Sequence, residues 1–341
     1  MNNQQRASKV LEKCFQSGVQ SFCLCAGARN APFVEELSHV SVPVYQFFDE
    51  RSAAFFALGK IKASGKPVAV VTTSGTAVAE LLPATIEAYY SGHPLVLLTA
   101  DRPPSYRGTG APQAIEQLSF LKPYLRQQWD VFQEFQSFFK KEEGFIHPFG
   151  PSQINTCFEE PLLDKSVYQK NRPSPLEFQK SWPCEEGNQD LLSFLEKKKR
   201  LAVIVGELPE EFQESVLCFL KQLDCPVYAE ALSGLREKSL DFLWRGSAES
   251  WAEALKEFQC DGVLRLGGVP VMRFWRDLEH LSNIDVFSVS HLPFSGLSRD
   301  SQLVVGLDNL PFQFSFKNKD QEFIDGICYK NQKAQKKLEE S

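Results

Sequence analysis

The stretch PVAVVTTSGTAVAELLPATIEAYYSGHPLVLLTA, residues 67–100, decides the fold. Pro67 to Thr72 is a β-branched strand, Ser74-Gly75-Thr76 a turn of small residues, and Ala77 to Tyr90 a helix interrupted early by Pro83. Pro94 to Ala100 is a second strand, apolar enough to be buried on both faces. Strands alternating with helices of this length predict a mainly parallel sheet covered on both sides.

The same alternation runs upstream. Val10, Leu11, Cys14 and Phe15 form a helical stripe over Gln5 to Ser17, stopped at Gly18. Val19 to Cys25 reads as a buried strand, Ala26 to Pro32 as a turn, Phe33 to Leu37 as helix and Val42 to Phe48 as an alternating strand. Downstream, Trp129, Phe132, Phe135 and Phe139 suggest one aromatic helix over Leu118 to Glu142, and Ser152 to Cys157 a last strand. The chain then loses periodicity and becomes rich in Pro, Ser and Lys, which marks a linker. A second run of strands follows at Leu201–Val205, Pro226–Ala229, Gly262–Leu266, Ile284–Val289 and Leu303–Val305.

The expected fold class is therefore α/β, with two doubly wound, mainly parallel-sheet domains. The first spans residues 1–165, a linker 166–198, the second domain 199–315, and a lysine-rich tail, read as an exposed helix with a frayed end, 316–341. A length of 341 residues suits two such domains.

Composition narrows the function. With 43% hydrophobic and 23% charged residues and a net charge of −6, the chain reads as soluble and globular, without a nucleic-acid surface. Its apolar runs fall short of the roughly 18–20 residues of a membrane span, and MNNQQRASKV carries no signal core, so a cytoplasmic location is expected. The nine cysteines include no Cys-x-x-Cys pair and read as reduced core thiols, Cys23 and Cys25 pointing to one face of a strand. GKIKASGKP, residues 59–67, lacks the spacing and hydroxyl of a phosphate loop, and neither Gly-x-Gly-x-x-Gly nor Gly-x-Ser-x-Gly occurs. The five histidines show no metal-ligand spacing, and Gly206 and Gly267 alone make a weak case for nucleotide binding.

In a parallel sheet, ligands gather at the carboxyl ends of the strands. Three loops there carry polar groups: Arg29; Asp49-Glu50-Arg51; and Asp101-Arg102, followed by GTGAPQ at 108–113. Two arginines and the Gln113 amide on one sheet edge make an anchor for a carboxylate-bearing ligand, unless Asp101 and Arg102 only pair with each other. In FFDERSAAFFALG, residues 47–59, Asp49 can cap a helix and Glu50 then sits in its first turn, either as a second solvated acid or as a working one.

Taken in order, CAGARNAPF at 25–33, FDERSAAFFALG at 48–59, residues 71–104 and GAPQAIEQ at 110–117 resemble the 2-succinyl-5-enolpyruvyl-6-hydroxy-3-cyclohexene-1-carboxylate synthases, thiamine-diphosphate enzymes of menaquinone biosynthesis. INTCFEEPL at 154–162, AEALSGLR at 229–236 and LRLGGVPVMRFWRDL at 264–278 extend the similarity. The resemblance implies a pyrimidine-binding first domain and a Rossmann-like central domain. It implies a transferase that decarboxylates 2-oxoglutarate and adds the succinyl group to isochorismate. Glu50 would be the catalytic acid, hydrogen-bonded to the aminopyrimidine in an apolar pocket, where burial and the helix N-terminus act on it in opposite directions. Ser74 and Gly75 would join Glu50 in holding the cofactor, and Arg29, Arg102 and Gln113 would hold isochorismate.

Ala28 and Pro112 depart from the family's usual serine and asparagine, each removing a potential donor to the acceptor substrate. No Gly-Asp-Gly occurs, so magnesium and the diphosphate are expected to be held by a third domain, on a separate subunit or on a longer protein of which this is a piece. The chain alone is then expected to be inactive, and to assemble as a homodimer or tetramer. The other reading is a non-catalytic binding or regulatory module descended from the enzyme.

Overall fold

The computed structural model describes residues 1–132, 135–140, 145–163, 174–178, 188–307, 310–311 and 316–339. The chain divides into two compact units, Met1–Ser181 and Trp182–Ser341.

The first unit opens with helix α1 (Asn3–Gln16), whose Asn2 and Gln5 form a reciprocal capping box. Then follow β1 (Phe22–Leu24), α2 (Ala31–Leu37), β2 (Val44–Gln46), α3 (Glu50–Ser64), β3 (Val68–Thr72), α4 (Thr76–Ala79), α5 (Leu82–Ser91) and β4 (Leu95–Asp101). The last elements are β5 (Gln127–Asp130), α6 (Phe135–Lys140) and β6 (Ser152–Cys157). The strands pair in parallel in the order β2-β1-β3-β4-β6-β5. From β1 the chain steps outward to β2, then returns to the other side of β1 with β3. The loops after β1 and β3 therefore diverge and open a crevice at the sheet's carboxyl edge.

Period-two alternation sends one set of side chains to each face. Phe22, Leu24, Ala69, Val71, Val96, Leu98 and Ala100 pack on the side of α1 and α2. Cys23, Cys25, Val68, Val70, Leu95 and Leu97 pack on the opposite side with Ala53, Ala54, Ala57, Leu58 and Ile61 of α3. Cys23 and Cys25 thus share a face, as the strand reading requires. Burial pushes both thiols up to about 12, so they stay protonated and inert. Cys14, Cys157, Cys218, Cys225, Cys260 and Cys328 are likewise free; Cys184 lies outside the described residues.

The expected helix over residues 118–142 is corrected. Residues 127–130 form edge strand β5 beside β6, and only Phe135–Lys140 is α-helical, with residues 133–134 and 141–142 outside the description. Pairing decides this: Gln128 Nε2 bonds Gln153 Oε1 at 2.8 Å across the two strands, and Trp129 turns into the core against Phe138. Pro83 stands in the first turn of α5 and separates it from α4, as its missing N–H dictates.

In the second unit come α7 (Asn188–Lys197), β7 (Leu201–Val205), α8 (Glu210–Leu220), β8 (Leu223–Asp224), β9 (Val227–Ala229), α9 (Ala248–Glu257) and β10 (Gly262–Leu266). After them follow α10 (Arg273–Asp277), β11 (Asp285–Ser290), β12 (Gln302–Val305), β13 (Phe316–Lys317) and α11 (Gln321–Glu339). Its parallel sheet runs β12-β11-β10-β7-β9, with β13 and β8 pairing apart. A Cβ on Gly206 would lie 2.3 Å from the Gly268 carbonyl oxygen, so this glycine serves the close approach of two loops.

Two boundary expectations change. Residues 164–173 and 179–187, most of the expected linker 166–198, lie outside the described residues. Its end, however, is helix α7, with Leu191, Phe194 and Leu195 in the second core, a helical spacing hidden beside the EKKKR run at 196–200. The tail is not an exposed helix either. Phe323, Ile324 and Ile327 of α11 are buried against Trp251 and Leu255, and Asn331 exchanges hydrogen bonds with the backbone of Arg245 and Leu243, both at 2.8 Å. Deleting residues 321–341 should therefore destabilise the second unit by on the order of 5 kcal/mol, from roughly 1.5–3 kcal/mol per buried apolar side chain. Urea unfolding followed by tryptophan fluorescence measures this, and an unchanged midpoint would refute the packing role.

Candidate functional site

The loop after β1 is fixed by Asn30. Its buried side chain accepts from the Gly27 N–H at 2.8 Å and donates to the Cys25 carbonyl at 2.9 Å, closing a turn of six residues. Gly27 lies so close to Thr73 that a Cβ would come within 2.7 Å of it, which brings the β1 and β3 loops together at the crevice. Arg29 projects from this turn. Its Nη1 donates to the Phe158 carbonyl at 3.0 Å and its Nη2 pairs with Glu160 Oε1 at 3.1 Å.

Ser74, Gly75, Arg102 and Gln113 form one contact group. Arg102 Nη1 donates to Ser74 Oγ at 2.8 Å and to the Gln113 carbonyl at 2.9 Å. Gln113 holds a left-handed φ of 54°. Such a conformation costs a side-chain-bearing residue about 1–2 kcal/mol, so it needs outside support. Arg102 supplies a bond to its carbonyl, and Gly75, at φ 87°, leaves room where a Cβ would stand 3.0 Å from Gln113 Cα. Among the described residues, Nε and Nη2 of Arg102 have no partner, and the Gln113 side chain is exposed.

Asp101 does not pair with the Arg102 guanidinium; it accepts only that residue's backbone N–H, at 2.8 Å. Its ionic partner is Arg107, whose Nη2 lies 3.2 Å from Asp101 and whose Nη1 lies 2.8 Å from Asp130. Burial pushes the Asp101 carboxyl upward, against the lowering effect of Asn155 and Arg107. Asn155 Nδ2 bonds Asp101 at 3.1 Å, and Asn155 Oδ1 accepts from Thr99 at 2.8 Å and from Gln117 at 2.7 Å. Gln117 in turn accepts the Gly75 N–H at 3.2 Å. A buried polar network therefore runs from Asp130 to the Gly75 turn.

Glu50 is the first residue of α3. Asp49 caps that helix, accepting from the Ser52 N–H at 2.6 Å, and this bond lowers its pKa. The Glu50 carboxylate makes no hydrogen bond or ion pair among the described residues, and its charge acts on Cys25 at the end of β1. Glu50 is half-buried, and beside it Phe48 is fully exposed, with Phe55 and Phe56 47% and 40% exposed.

Contacts thus join Ser74, Gly75, Arg102 and Gln113, while Arg29 bonds the loop after β6 and Glu50 stands beyond β1. Asn30, Arg107, Gln117 and Asn155 were not singled out from the sequence. All four lie inside the motif stretches quoted above or next to them, and an amide or a guanidinium within an otherwise apolar or small-residue stretch was the available signal. Among the described residues no group of three or more His, Cys, Asp or Glu could hold a metal ion, and no helix is long and apolar enough to cross a membrane.

Residues 5–120 match the family of thiamine pyrophosphate enzymes in their N-terminal TPP binding domain. The chain is 44% identical over 324 residues to the 2-succinyl-5-enolpyruvyl-6-hydroxy-3-cyclohexene-1-carboxylate synthase of Bdellovibrio bacteriovorus, covering 93% of this chain and 61% of that protein. It is 40% identical to the synthase of the same name from Akkermansia muciniphila, over 87% of this chain and 55% of that one. The chain is thus similar to these synthases over most of its own length. It spans less than two thirds of the length of either relative. Among solved structures, benzoylformate decarboxylase from Polynucleobacter necessarius superposes with a TM-score of 0.65 over 96% of this chain and 61% of its own, at 16% identity, a likeness of fold.

Arg107 is the strut of the loop that carries Arg102. Arg107→Ala should cost about 3–5 kcal/mol, the usual loss on breaking a buried pair. The loss has a pH signature. Burial already raises the Asp101 pKa, so ionising Asp101 costs stability as pH rises, and removing the cation raises that cost. The variant should therefore lose more stability at about pH 7 than at about pH 4, where a carboxyl whose pKa is raised is largely protonated. Equal losses at both, in urea titrations, would refute an ionic role.

Proposed function

We propose that the chain forms the pyrimidine- and acceptor-binding part of a synthase that transfers a succinyl group from decarboxylated 2-oxoglutarate to isochorismate in menaquinone biosynthesis. The observation that carries this reading is the Arg102 guanidinium, locked by Ser74 and the Gln113 carbonyl at the sheet's carboxyl edge with two nitrogens left free. A planar donor fork held this way suits a carboxylate. Arg29, Arg102 and Gln113 bind the acceptor's polar groups.

The residues fit one end of thiamine diphosphate. Glu50, unpartnered among the described residues at the head of α3, suits a ring nitrogen of the aminopyrimidine, and Ser74 and Gly75, in the turn after β3, are assigned to the cofactor with it. In keeping with the sequence resemblance, we assign magnesium and the diphosphate to a further diphosphate-binding domain, whether on a separate subunit or on more of the same polypeptide. Thiamine diphosphate, when bound, supplies the carbanion chemistry. The role of Glu50 is to hold a proton at the ring nitrogen, a general acid–base contribution worth roughly 10²–10⁴-fold.

Calorimetry with isochorismate on the full chain tests the acceptor half: binding is expected, and Arg102→Ala should abolish it. No binding by the wild type would favour a non-catalytic module instead. Mixed with thiamine diphosphate, magnesium and both substrates, the chain alone should not turn over. When the diphosphate-binding part is supplied, Glu50→Gln should lower kcat by roughly 10²-fold or more.

The apolar face around Phe48, Phe55 and Phe56 supports a homo-oligomeric arrangement, a dimer or tetramer in which a second copy covers it. Sedimentation should show a dimer or larger species that Phe48→Asp dissociates. A monomeric wild type at micromolar concentration would count against this assembly.

A further inference from the structure

A carboxylate of the chain itself already occupies Arg29, the residue assigned above to the acceptor's carboxylates. We propose that Glu160 is a placeholder for that ligand carboxylate, holding Arg29 in the free protein and leaving it when the acceptor binds. This inference rests on the functional reading just given.

Three features of the contact support displacement rather than permanent pairing. First, the backbone carrying Glu160 is fastened. Asn3 Nδ2 donates to the carbonyls of Glu159 at 2.6 Å and Pro161 at 3.1 Å, Asn3 Oδ1 accepts the Glu159 N–H at 3.2 Å, and Arg6 donates to the Cys157 carbonyl. The carboxylate is thereby tethered beside Arg29 at a high local concentration. Second, its own side chain is 67% exposed, against 13% for Arg29, so it leaves without unpacking anything.

Third, Glu160 does not use the arginine fully. Nη1 is spent on the Phe158 carbonyl, Nη2 meets a single Glu160 oxygen, and Nε is buried without a partner. A carboxylate lying flat on the Nε–Nη2 edge would make two parallel bonds where Glu160 makes one. That extra bond is what the ligand offers and the tethered side chain does not.

The experiment is isochorismate calorimetry on the full chain carrying Glu160→Gln, Arg29→Ala and both changes. Removing the competitor should tighten binding by about two- to fivefold, the factor a partly exposed ion pair controls. In the Arg29→Ala background Glu160→Gln should change nothing. With the diphosphate-binding part supplied, Glu160→Gln should lower KM for isochorismate and leave kcat unaltered. Weaker or equal binding by Glu160→Gln, with Arg29→Ala still impaired, would make Glu160 a support for Arg29; the placeholder role then falls and the functional reading stands. No binding by either the wild type or Glu160→Gln overturns both.

Discussion

Asp101 ends the central strand of the first sheet with its carboxylate all but sealed from water, and a charge placed there has to be met. Left alone it would cost several kcal/mol. Arg107 meets it with charge and Asn155 with a hydrogen bond, and each of these commits further groups. Arg107 also takes Asp130, which ties edge strand β5 to the loop after β4. Asn155 takes Gln117, which holds the Gly75 turn. The turn sets Ser74, Ser74 orients Arg102, and Arg102 secures the strained Gln113. The donor fork facing the crevice is thus a consequence of satisfying one buried acid.

This dependence explains what could be read in advance. The sheet was legible because a doubly covered parallel strand reads as a near-continuous apolar run, as Val68–Val71 and Leu95–Leu98 do. Its crevice was legible because loops after such strands are where polar residues can stand. Strand β5 was not, since QQWD has neither strand alternation nor a bounding turn, and its conformation comes from pairing with residues 25 positions away in sequence. Helices α7 and α11 were obscured for a related reason: a lysine run closes α7 and four lysines crowd the second half of α11, while three apolar residues at helical spacing decide where each packs.

In the site, residues at strand ends were found and their supports were not. Arg29, Glu50 and Arg102 follow strands directly. The partners that orient two of them lie far along the chain: Phe158 and Glu160 for Arg29, Gln113 and Ser74 for Arg102. Sequence spacing carries no direct record of such contacts. The proposed pair of Asp101 with Arg102 shows the same limit, because adjacency suggested a partner and the fold chose Arg107, five residues further on.

Glu50 presents the opposite problem, a residue with too few partners rather than too many. On the proposed reading its carboxyl meets a ring nitrogen, a contact that is stronger where water is excluded. The described residues leave it half-buried and leave Phe48 wholly in water beside it. Exposing a phenylalanine forgoes about 1.5–3 kcal/mol of burial that a self-contained domain would be expected to use. On the proposed reading both deficits have one remedy. A second protein surface laid over Phe48, Phe55 and Phe56 buries the aromatic rings and dries the carboxyl together, so assembly and the working state of Glu50 are coupled through the same face.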